Sequence, residues 1–141
     1  MNPETDNLLN GLLERAAHLR DEGELEAASA IVELLMKSYP DDKAALLVAG
    51  HFYWEYGSID RAMGTFEKAT ALFQESKLAS LGLFHVLWKA GLHQRALEEA
   101  ERFTSRFECE EYDQLLEDMS ASMNAAPSSQ AERTAQGREK K

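Results

Sequence analysis

The chain has 141 residues, 44% of them hydrophobic, and a formal net charge of −10. That length suits one domain, and an acidic chain repels phosphate backbones, which argues against nucleic acid as the main ligand. A single cysteine, Cys109, excludes an internal disulfide and a zinc site built on several cysteines, and no apolar run is long enough to span a membrane.

Residues 1–8 read as a lead-in without the basic flank and apolar stretch of a signal peptide, so a cytoplasmic location is expected. The first helix places Leu9, Leu12, Leu13, Ala16 and Leu19 on one face, with Thr5 or Asp6 as its cap and Gly23 as its stop. The second runs from about Leu25 to Ser38 and turns Ala28, Ile31, Val32 and Leu35 inward. Pro40 stops it, and Asp41 or Asp42 caps a third helix over about Lys43–Tyr56, which ends at Gly57. Ser58 caps the fourth, which buries Ile59, Ala62, Phe66 and Ala69. The fifth runs from near Ser76 to Ala90, before Gly91, and the sixth spans about His93–Phe107 with Ala96, Ala100 and Phe103 inward. A seventh, roughly Glu110–Asn124, carries one apolar stripe of Tyr112, Leu115, Leu116, Met119 and Met123, as suits a helix that closes an open apolar end.

Residues 126–141 lack apolar periodicity and aromatic residues and are expected to be disordered. They hold four basic and two acidic residues, so residues 1–125 carry a charge of −12.

Gly23, Gly57 and Gly91 stand 34 residues apart, as do Ala28, Ala62 and Ala96. Two small-residue positions in one register mark a repeated helix-turn-helix unit, here about residues 9–42, 43–76 and 77–110. In the middle unit Gly50, Tyr53, Gly57, Ala62, Phe66 and Ala69 resemble the tetratricopeptide repeat. The resemblance implies an all-α solenoid of three repeats over a domain at 9–125, closed by a cap helix at 110–124. The third unit departs from the pattern, with Phe84 where a small residue is usual and Ala100 where an aromatic is usual, a swap of volume across one helix pair.

In that family the first helix of each unit lines a concave groove. The resemblance puts Leu13, Ala17 and Arg20 there from unit one, Leu47, His51, Trp54 and Glu55 from unit two, and Leu81, His85, Trp88 and Lys89 from unit three. Leu47 and Leu81, His51 and His85, and Trp54 and Trp88 are each one repeat apart, and a tryptophan in a groove is a strong interface anchor. The alternative for both tryptophans is packing within the core. His51 and Glu55 have the spacing of a metal-binding pair, but Lys89 stands where His85 would need its second ligand, so no metal is expected. His18 and His93 belong to no cluster in the sequence. Some members of the family clamp a chaperone's C-terminal carboxylate with basic and amide side chains. Leu13, Ala17, Val48, Leu78 and Gly82 occupy those positions here, so this role is not expected.

The glycines are spaced as turns, not clustered to cradle a phosphate, and Cys109 lies among Glu108, Glu110 and Glu111, the opposite of the electropositive setting that activates a thiolate. The chain therefore reads as a module that is not an enzyme, needs no cofactor and binds a partner protein or peptide in its groove, as a chaperone or adaptor. Its size and acidity make it similar to the bacterial type III secretion chaperones. Two other readings stand beside this one: an immunity or inhibitor protein that neutralises a basic toxin, and a scaffold subunit that forms a homo-oligomer.

Overall fold

A computed structural model of the chain describes residues 3–121, with side chains from Asn7 onward. The described residues are all helix and turn. Six helices, α1 (Pro3–Asp21), α2 (Leu25–Ser38), α3 (Lys43–Tyr56), α4 (Ile59–Leu72), α5 (Lys77–Lys89) and α6 (His93–Thr104), form one compact unit that ends at Phe107. A seventh, α7, is described over 110–121 and belongs to a second unit that begins at Glu108. In the first unit each helix packs on the next, and α1 also touches α3 as α3 touches α5. This is an all-α solenoid of helix pairs, in which the first helices of successive pairs stand side by side.

Two boundaries differ from the sequence reading. Helix α1 already begins at Pro3, so Thr5 and Asp6 lie inside it and do not cap it. Proline suits a first helical turn, where its missing N–H would have had no partner. Helix α6 stops at Thr104 instead of Phe107, and the Ser105 N–H bonds back to the Glu101 carbonyl as the last turn closes. The expected end of the seventh helix, with Met123 and Asn124, and the stretch 126–141 lie outside the described residues. Ile31 and Ile59, expected to face inward, are only half-buried.

The three register glycines do two different jobs. Gly23 and Gly91 adopt φ of 78° and 83°, the left-handed region that other residues rarely enter. At each, the next N–H reaches five residues back, Glu24 to Leu19 at 2.8 Å and Leu92 to Leu87 at 2.9 Å, while the glycine N–H bonds three residues back. That pair of bonds is the Schellman ending, and the helix after it starts without a side-chain cap. Gly57 has φ of −123° and is needed for space: a Cβ there would come within 3.2 Å of the Tyr53 Cα. Here the next helix is capped, by the Ser58 hydroxyl accepting from the Asp60 and Arg61 N–H groups. Asp42 caps α3 through Ala45 and Ser76 caps α5 through Ala79, whereas Asp41 pairs with Lys68 at 3.0 Å.

The centre of the unit is the Phe66 side chain, which is 1% exposed. Its ring, carried by α4, lies against two helices that have no side chain at the point of contact. A Cβ on Gly50 of α3 would stand 2.7 Å from the ring, and one on Gly82 of α5 would stand 2.3 Å from it. The ring thus fills the space between the second and third helix pairs. Leu46, Ala69 and Ala79 form a smaller cluster nearby, covered by Met36, Leu47 and Phe73. Phe84 and Ala100, the exchanged volumes of the third pair, are both buried.

A ladder of ion pairs on the second helices keeps the same period. Arg61 of α4 meets Glu33 of α2 at 2.6 Å, and one repeat later Arg95 of α6 meets Glu67 of α4 at 2.6 Å. The first rung is reinforced by Tyr53, whose ring lies 4.2 Å from the Arg61 guanidinium and whose hydroxyl accepts from it at 3.0 Å. These pairs are half exposed, so they set register more than they add stability.

Replacing Phe66 with Ala is expected to destabilise the protein by about 3–5 kcal/mol, and Gly82→Ala by about 1–3 kcal/mol, in urea denaturation. In a Phe66→Leu background the cost of Gly82→Ala should fall, because the ring it strikes is gone; strictly additive losses would show that the two do not touch.

Candidate functional site

A cavity of about 260 Å³ opens between α3 and α5, and Phe66 forms its floor. His51 and Trp54 come from α3, and Leu78, Leu81, Gly82 and His85 from α5. Gly82 lines it beside the ring, where a Cβ would stand 2.3 Å from Phe66. The His51 ring meets Phe66 edge-on, with centroids 5.3 Å apart and planes at 82°. Leu78 stands at the rim, 56% exposed. The walls are therefore carbon with an imidazole on each side, a surface that takes an apolar side chain.

Of the expected groove residues, His51, Trp54, Leu81 and His85 meet in this cavity. Lys89 is close by, its ammonium 5.8 Å from the centre of the Trp54 ring. Glu55 is exposed one turn along α3 from His51. Leu13, Ala17 and Arg20 are half-buried on α1, and Arg20 bonds to Asp21 at 3.2 Å. Leu47 and Leu81 are one repeat apart but differ: Leu47 packs on the Leu46, Ala69 and Ala79 cluster.

The tryptophans also part company. Trp88 is stacked on Phe84, with centroids 5.8 Å apart and planes at 13°, and lies against His93 at 4.1 Å. It therefore ties the end of α5 to the start of α6. His93, which has no role in the sequence reading, is the other half of that contact, and His18 pairs with Glu22 one turn on at 3.2 Å.

The cavity also uses three residues that the sequence reading does not place in the groove: Phe66, Leu78 and Gly82. Spacing identifies Phe66 only as core, and Leu78 and Gly82 only as the absence of a carboxylate clamp. The available signal is Gly82 itself, a glycine within the strongly apolar helix α5 and outside the turn register.

Both histidine side chains keep an edge in water, yet their rings are partly withdrawn from it. This desolvation holds each imidazole below its ordinary value of 6.5. At His51 the Glu55 carboxylate opposes the effect, while the Arg20 and His85 charges add to it. Among the described residues no three histidine, cysteine or acidic side chains cluster as metal ligands would. No described helix is long and apolar enough to cross a membrane.

No protein-family model matches the chain, and no curated protein is significantly similar to it in sequence.

The lowered imidazole values set the sign of a pH effect. As pH falls through 6.5 the unfolded chain protonates first, so stability declines until the folded rings are also charged. The drop in melting temperature between about pH 7.5 and about pH 5.5 should therefore be smaller in the His51→Gln, His85→Gln double variant than in the wild type. An equal drop would show that these rings are not desolvated.

Proposed function

We propose that this chain is a non-catalytic binding module of the tetratricopeptide type, which holds an extended segment of a partner protein along its first helices. The cavity between α3 and α5 carries this reading. It is the right size for one apolar side chain, and its floor is held rigid by Phe66 between two glycines. A preformed apolar socket lowers the entropic cost of seating an anchor residue. In the second helix pair Gly50, Tyr53, Ala62, Phe66 and Ala69 are all buried, which supports the repeat type. A chaperone or adaptor role in the cytoplasm fits this chemistry, because such proteins cover an apolar segment of another chain.

Trp54 is the wall of the socket and Trp88 is part of the α5–α6 packing, so the two should separate experimentally. Peptides selected from a random display library on the wild-type protein should share an apolar anchor residue. Their affinity should fall by at least about tenfold in Trp54→Ala and in Leu81→Glu, with helicity unchanged. Trp88→Ala should instead lower the melting temperature. Selected peptides that bind Leu81→Glu as well as wild type would refute the socket.

The −12 charge of residues 1–125 supports a second reading, an inhibitor that captures a basic protein. In that case the association rate with the basic partner falls steeply as salt is raised. A flat response would count against it.

A further inference from the structure

The four histidines are partnered in different ways. His18 pairs with Glu22 at 3.2 Å, and His93 lies against Trp88 with ring centroids 4.1 Å apart. His51 and His85 instead flank the cavity, one from α3 and one from α5. Their close ring neighbours are hydrocarbon: His51 meets Phe66 edge-on, and His85 meets Phe84 edge-on at 5.7 Å and 89°. The chain has 25 acidic residues, yet among the described residues neither imidazole makes a hydrogen bond or an ion pair.

The surroundings of the pair disfavour its charged form. Partial burial comes first, and at His85 it is the one cause of the lowered value. At His51 the Glu55 carboxylate, one turn along α3, favours the proton, while Arg20 of α1, itself bonded to Asp21, opposes it. On α5, Lys89 stands one turn along from His85, with its ammonium 5.8 Å from the centre of the Trp54 ring. Helix α4 contributes the uncharged ring of Phe66. The two imidazoles also feel each other across the cavity, so a second proton is harder to add than the first.

Each histidine keeps an edge in water, and that water is what solvates an imidazolium. An apolar side chain seated between the rings replaces the water with hydrocarbon. It offers an N–H no acceptor and a cation no counter-charge. A protonated ring and a seated apolar group therefore each raise the cost of the other, and the coupling is reciprocal.

We infer that the socket is gated by protons: the apolar anchor of the partner and protons on His51 and His85 compete for it, so the partner is held at neutral pH and released on acidification. The inference rests on the reading of the cavity as a socket for an apolar side chain. Its sign follows from linkage. Binding pushes both imidazole values further down, so affinity falls as pH drops through the values of the free protein, and protons are taken up on release.

Toluene, the side chain of phenylalanine closed by a hydrogen, is the simplest probe. Two-dimensional NMR of the full chain follows the titration of the imidazoles with and without it. Toluene should move the resonances of Trp54 and Leu81 and lower the midpoints of His51 and His85, leaving that of His18 in place. A peptide selected on the wild-type protein at pH 7.5 should bind at least about threefold more weakly at pH 5.5, with the protein folded by circular dichroism at both. The His51→Gln, His85→Gln double variant should lose most of that difference. Glu55→Gln, at an exposed position, should move the fall in affinity to lower pH, because the carboxylate that favours the His51 proton is gone; it serves if the double variant folds poorly. Toluene that leaves Trp54 and Leu81 unmoved refutes the socket and the gate with it. Toluene that binds without lowering the midpoints refutes the gate alone. So does a pH dependence that survives in the double variant, an affinity that is flat with pH, or one that rises on acidification, which would mark a carboxylate on the partner.

Discussion

The first unit is organised around one contact, a phenylalanine ring held between two glycines on different helices. Phe66 projects from α4 into the gap between α3 and α5, and each of those helices lacks a side chain where the ring arrives. A ring so placed cannot move away from one helix without striking the other, so it fixes the separation of the second and third pairs. Close packing then transmits that spacing to the neighbouring layers. The same contact shapes the surface, because the back of the ring is the floor of the cavity at His51, Trp54 and His85. Stability of the solenoid and geometry of the candidate site therefore depend on the same atoms.

The polar side chains follow the repeat as closely as the apolar ones do. Glu33 with Arg61 and Glu67 with Arg95 are the same pair displaced by one unit. Such half-exposed pairs add little free energy, but they disfavour a slip of one helix along the next, which would set like charges together. On α2 the positions equivalent to the ion-pairing Arg61 and Lys68 are Ala27 and Leu34, which carry no charge.

Part of the cavity's lining is legible from spacing alone, up to a definite limit. His51 and His85, one repeat apart, do face a common cavity, because a pocket between two pairs draws one wall from each. The two tryptophans differ in their surroundings. Trp54 and Trp88 are equivalent in register, but the neighbours of Trp88 are Phe84 and His93, and stacking on them draws the indole into the α5–α6 contact. Equivalent backbone positions need not have equivalent surroundings when the units differ in sequence. Gly82 is legible only as a missing clamp residue, since a glycine within a helix has no local signature of what approaches it.

The helices, their turns and their period can all be read from the chain, because they depend on local chemistry. Gly23 and Gly91 reach positive φ, Asp42, Ser58 and Ser76 supply carboxylate and hydroxyl caps, and apolar residues are spaced for one helical face. Which small residues within the helices receive a neighbour's side chain is settled by packing in three dimensions. The register marks Gly57 as a turn, but nothing in it shows that Gly82 clears a ring from a neighbouring helix. That distinction depends on residues brought together across different helices, and a linear text carries no record of such approach.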